Sequence, residues 1–83
     1  MAQKIGEITL YVLTTSYKVE KSIYTVYDRN SQIVVLGEDK LEIPCTTVFE
    51  ILKRAQHDNS VVRMDLDDEL LDQIHKQAVA DNI

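Results

Sequence analysis

Along the first third of the chain apolar and polar positions alternate. Ile8, Leu10 and Val12 share one face of a strand, with Glu7, Thr9 and Tyr11 on the other. The polar break Thr14-Thr15-Ser16 ends it, and a second strand is expected from about Tyr17 to Tyr27, a stretch rich in β-branched and aromatic residues. Its alternation sets Tyr17, Val19, Ile23 and Tyr27 on one face and Tyr24 and Val26 on the other. Asp28–Gln32 is turn chemistry, and Ile33–Leu36 reads as a short buried strand. Gly37-Glu38-Asp39 turns again, and Leu41 with Ile43 extends a short fourth strand.

The period then changes. Pro44 closes the strands and TTVFEILKRAQH predicts a helix with an apolar stripe at Val48, Ile51, Leu52 and Ala55. Thr47 and Glu50 have the spacing of a capping box. Lys53, Arg54 and His57 fall toward its C-terminus, where the helix dipole favours positive charge. Val62, Met64 and Leu66 alternate as a further strand. Asp67 caps a second helix, with Asp68 and Glu69 in its electropositive first turn and an inward stripe of Leu70, Leu71, Ile74 and Ala78. Asp72 and Lys76 add an i,i+4 pair. The predicted order is β-β-β-(β)-α-β-α: a single α+β domain over residues 1–83, with an antiparallel meander of three to four strands and helices packed on one face.

Composition narrows the picture. Eighty-three residues with 45% hydrophobic content support one thin core, and self-association relieves a domain of this size of apolar surface. The net charge of −5 is uneven. Residues 1–57 balance, whereas the last third sets Asp58, Asp65, Asp67, Asp68, Glu69, Asp72 and Asp81 against Arg63 and Lys76. Duplex binding draws on Lys and Arg neutralising phosphates, so this third suits a basic protein partner better than nucleic acid. The first residues, interrupted by Gly6, Glu7 and Thr9, do not read as a signal peptide, and no window approaches the ~18 apolar residues of a membrane span. With a single cysteine, the expectation is a cytoplasmic protein without a membrane partner.

The stretch VVRMDLDDELLDQIHKQA, a strand running into a helix, resembles the first half of a ribbon-helix-helix repressor subunit. In that family two such strands pair across a dimer and lie in the DNA major groove. The resemblance implies a core set of Val62, Met64 and Leu66, and a base-facing set of Val61, Arg63 and Asp65. Two departures are visible: only VADNI follows Ala78 where the family has a second helix, and Asp65 would be repelled by phosphates. An acidic imitation of DNA through Asp65, Asp67, Asp68, Glu69 and Asp72 is the related alternative.

Candidate chemistry is sparse. Cys45 stands just ahead of a helix whose free amides would stabilise a thiolate, which makes a thiol-dependent enzyme the second alternative. His57 sits at the far end of the same helix and His75 in another. Unpaired cysteines are among the most buried residues, and the bland reading of Cys45 is structural. One Cys and two His offer no zinc spacing, DLDDELLD lacks the rhythm of an EF-hand, and Gly6 and Gly37 are isolated, so no metal or cofactor is expected. Exposed tyrosine makes a good interface residue. The expectation is therefore a non-enzymatic protein-binding or regulatory module, homodimeric through a Tyr-bearing sheet face. Its contact residues are Tyr11, Tyr17, Tyr24 and Tyr27, with Asp68, Glu69 and Asp72 as a second surface.

Overall fold

The structure, a computed structural model, describes residues 2–82. Five strands and two helices follow one another as β1 (Ala2–Leu13), β2 (Val19–Arg29), β3 (Gln32–Leu36), β4 (Glu42–Ile43), α1 (Cys45–Ala55), β5 (Val61–Asp65) and α2 (Asp68–Asp81). They build an α+β fold on one antiparallel sheet of order β4-β3-β2-β1-β5. The meander has four strands, and the fifth returns beside β1 after α1.

Alternation decides which face is buried. Ile8 and Leu10 of β1, Val26 of β2 and Val35 of β3 point to one side. There they form a core with Val48 and Leu52 of α1 and Leu70, Ile74 and Ala78 of α2. Both helices cover this inner face, and the outer face carries none. Gly6 of β1 lies under α2, where a Cβ would run into the Leu70 side chain. A bulge between Lys4 and Gly6 inserts Ile5 beside this contact.

Three expected details differ. Tyr17 is in the β1–β2 turn and not in the strand, with φ 60° and a side chain 87% exposed. Thr14 builds that turn: its backbone pairs with Lys18 and Tyr17, and its hydroxyl accepts the Lys18 amide at 3.3 Å. Side-chain-to-backbone bonding of this kind competes with the ladder and delays the second strand to Val19. Val62 is 55% exposed rather than in the core, because the register between β1 and β5 shifts there and leaves it unpaired opposite the Tyr11–Val12 step.

Helix α1, finally, begins at Cys45 behind Pro44, without a side-chain cap, so Thr47 already lies inside it and no capping box forms. Proline's fixed φ suits the boundary position. Glu50 pairs with Lys53 at 3.2 Å instead. Helix α2 follows expectation: the Asp67 carboxylate accepts the Glu69 amide at 3.0 Å, and Asp72 meets Lys76 at 3.0 Å.

Candidate functional site: the helix-free face of the sheet

The outer face presents Lys4, Glu7, Thr9 and Tyr11 from β1, and Val19, Lys21, Ile23, Thr25 and Tyr27 from β2. β3 adds Val34 and Leu36, and β5 adds Arg63 and Asp65. Tyr11 stands directly between Lys21 on β2 and Arg63 on β5. The Lys21 ammonium lies 5.5 Å and the Arg63 guanidinium 5.4 Å from its ring centroid, a double cation–π arrangement. Asp65 completes the group, accepting from the Tyr11 hydroxyl at 3.3 Å and from Arg63 Nε at 2.9 Å.

The charges of this face are largely neutralised in place. Lys4 pairs with Glu7, Arg29 with Glu42 at 3.5 Å, and Arg63 with Asp65. The hydrogen bond and charge of Glu7 hold the exposed Lys4 ammonium above its usual pKa. Lys21 alone among the cations of this face meets no carboxylate among the described residues. Val34 is only 7% exposed although no helix lies over it. Tyr27 stands directly opposite it on β2, and Arg29 and Glu42 join hands across β3. The face thus begins to build an apolar layer from its own side chains.

The four tyrosines do not share one surface. Tyr11 and Tyr27 lie on the outer face; Tyr17 is at the hairpin tip; Tyr24, opposite Ile8, packs half-buried against the core on the helix side. Val19 and Ile23 complete the apolar part of the outer face, at 55% and 37% exposure. The acidic residues lie in the other layer. Asp68 and Asp72 line a groove of about 410 Å³ between the helices, opposite Lys53, while Glu69 is exposed in the first turn of α2. Phe49 and His75 stack across this groove with centroids 4.5 Å apart.

Of the base-facing set implied by the ribbon-helix-helix resemblance, Arg63 and Asp65 do point away from the core, but they turn toward each other. Arg63, Asp65 and Lys21 around Tyr11 were not foreseeable as a group, since Lys21 arrives through the β1–β2 pairing while Arg63 and Asp65 arrive through pairing of β1 with a strand about 50 residues away. Cys45 is buried in the core, and its thiol donates to the Ile33 carbonyl at 3.3 Å. Burial, reinforced by the charges of Asp81 and Glu42, pushes its pKa up to about 11, the opposite of an activated thiolate. Among the described residues no group of three metal-ligating side chains comes together, and no helix is long and apolar enough to cross a membrane.

No family model matches the chain, and no curated protein or solved structure proves similar to it.

Proposed function

We propose that the protein is a binding module rather than an enzyme, and that it pairs with a second copy of itself through the helix-free face of the sheet. One observation carries this reading: Val34 is almost fully buried on a face that no element covers, with Tyr27 and Leu36 beside it and Ile23 and Tyr11 further along the same face. Antiparallel sheets with one open face normally solvate it with polar side chains. This one mixes aromatic and branched apolar residues with ion pairs of both signs, which is the composition of an interface. A two-fold copy presents the same alternation of signs, so unlike charges can meet across such a pairing.

The paired cations also weigh against nucleic acid as the partner. Lys4, Arg29 and Arg63 already hold carboxylates, and phosphate contacts would have to displace them. A buried, protonated thiol supports a structural Cys45 and suits a reducing compartment such as the cytoplasm.

The test is solution mass by light scattering across a dilution series, for the native chain and for Thr25→Lys. Thr25 sits mid-face, opposite Glu7 and Leu36, on the side of the sheet away from the helices. A dimer that Thr25→Lys converts to monomer supports the reading. A native monomer at high concentration, or a dimer indifferent to the substitution, overturns it.

A further inference from the structure

The sheet is stepped. β3 borders β2 only over Thr25–Arg29, so the Val19–Tyr24 part of β2 has β1 on one side and no strand on the other. Which backbone groups this leaves open follows from Ile23. Its N–H points away from β1 and donates to the Glu38 carboxylate at 2.9 Å. Backbone groups alternate in direction along a strand, so the N–H and C=O of Val19 and Lys21 point the same way. Thr25, next in the series, is the residue that faces Leu36 in β3. At Leu36 the chain leaves the sheet line through Gly37, and beyond the Gly37–Asp39 turn, which borders Ser22–Tyr24, no strand among the described residues continues the lane of β3.

We propose that the Val19–Ile23 edge of β2 is a strand-addition site for an extended segment of a partner protein, one that carries a carboxylate with an apolar residue two positions to either side. Strand addition supplies affinity through main-chain hydrogen bonds and specificity through alternate side chains. On the helix-free face the edge offers Val19, Lys21 and Ile23 in sequence, the two apolar residues exposed at both ends. Lys21 sits at the centre with the Tyr11 ring beside it and no carboxylate. Residues directly opposite in an added strand stand about 4.5–5.5 Å away, close enough for each of these three to choose its neighbour.

The same residues disfavour a second copy on this edge in the registers that centre on a charge. Antiparallel pairing about a two-fold axis sets one residue opposite its own copy. Centred on Lys21 it opposes two ammoniums; centred on Glu20 it opposes two carboxylates. Lysine on an edge strand is a known guard against self-pairing, and here the guard also selects a carboxylate. Glu38 holds the lane in the empty state: its oxygen takes the Ile23 N–H that an incoming carbonyl needs, and its charge repels an acidic segment. Face-to-face pairing leaves the backbone groups of this edge open, although Val19, Lys21 and Ile23 turn their side chains to that same face.

The experiment is a titration of the ¹⁵N-labelled protein with the capped peptide Thr-Val-Thr-Glu-Thr-Val-Thr, its lysine-centred counterpart, and a backbone N-methylated version. Shifts and slowed solvent exchange are expected at Val19, Lys21 and Ile23. The lysine-centred peptide should bind about three- to fivefold more weakly, and the N-methylated one should not bind. Lys21→Glu should reverse the preference between the two charged peptides, and Glu38→Ala should tighten binding by about threefold. Repeating the titration on Thr25→Lys separates this site from the sheet-face dimer: binding persists there whether or not the dimer exists. Three outcomes would overturn the proposal: no response at millimolar peptide, an unchanged preference in Lys21→Glu, or protection of these amides that rises with protein concentration alone, which would place a second copy on the edge.

Discussion

Gly6 of β1 and Leu70 of α2 touch so closely that the strand has no room for a Cβ at that position. The contact sets the height of α2 over the sheet, and it joins residues 64 positions apart. Gly6→Ala should therefore destabilise the fold by about 1–2 kcal/mol through overpacking. Leu70→Ala alone should also destabilise, by about 2–3 kcal/mol, because it removes buried apolar volume. The double variant should be less unstable than the sum, since the alanine methyl at position 6 occupies part of the space Leu70 vacates. Urea unfolding of the four-member cycle measures the coupling; strict additivity would mean that α2 shifts freely.

The raised pKa of Cys45 sets a pH window. The folded thiol holds its proton up to about pH 11, whereas a free thiol has a value of 9.0. Below pH 9 both states are protonated and the contribution is fully present. Between about 9 and 11 the unfolded chain loses the proton first, so stability falls as pH rises, by on the order of 2 kcal/mol in total. Cys45→Ala should lose this slope. The native thiol should react with a disulfide reagent only as fast as the protein opens, and immediate stoichiometric labelling at pH 8 would show that it is accessible.

Two threonine and aspartate positions separate a real cap from an apparent one. Asp67→Ala removes the acceptor for the Glu69 amide and should cost about 1 kcal/mol. Thr47→Ala, inside α1 with no capping bond, should stay within about 0.5 kcal/mol of the native chain. Equal losses in thermal unfolding would contradict the observed start of α1.

The β2–β3 hairpin turns on Asn30 and Ser31, both left-handed at φ 54° and 67°, with the Ser31 amide bound to the Asp28 carboxylate at 3.0 Å. This is the two-residue turn for which Asn-Gly is the preferred sequence. Ser31→Gly should stabilise the protein by about 0.5–1 kcal/mol, because serine carries a Cβ penalty there that glycine does not. A lower melting temperature would show that the serine side chain contributes something the backbone does not reveal.

Much of the fold was legible because it is local. Ile8, Leu10 and Val12 declare the buried face of β1 by alternation, and Asp67 followed by Asp68 and Glu69 marks the start of α2 through the needs of free helix amides. Tyr17 misled because an aromatic next to a β-branched run looks like strand, while the Thr14 hydroxyl that closes the turn acts across four residues. Val62 misled because a bulge against β1 obeys the partner strand and leaves no mark in its own alternation. The candidate site was less legible still. Alternation sets Tyr11 opposite the Ile8, Leu10 and Val12 face, but its flanking Lys21 and Arg63 come from the later strands β2 and β5 on either side of it, in a register that tertiary packing sets.

The placement of β5 and α2 has a consequence for synthesis. The first 43 residues can form β1 to β4 by neighbour-to-neighbour pairing as they leave the ribosome. The inner face of that nascent sheet, with Ile8, Leu10, Val26 and Val35, stays bare until α1 follows, and half of its cover is Leu70, Ile74 and Ala78 of α2, which emerges later still. While those residues are still in the exit tunnel, the emerging sheet exposes an oily side and two unguarded borders. The cover of the sheet is therefore complete only once α2 has cleared the tunnel, and a chaperone that shields nascent apolar strands would raise the yield of this protein.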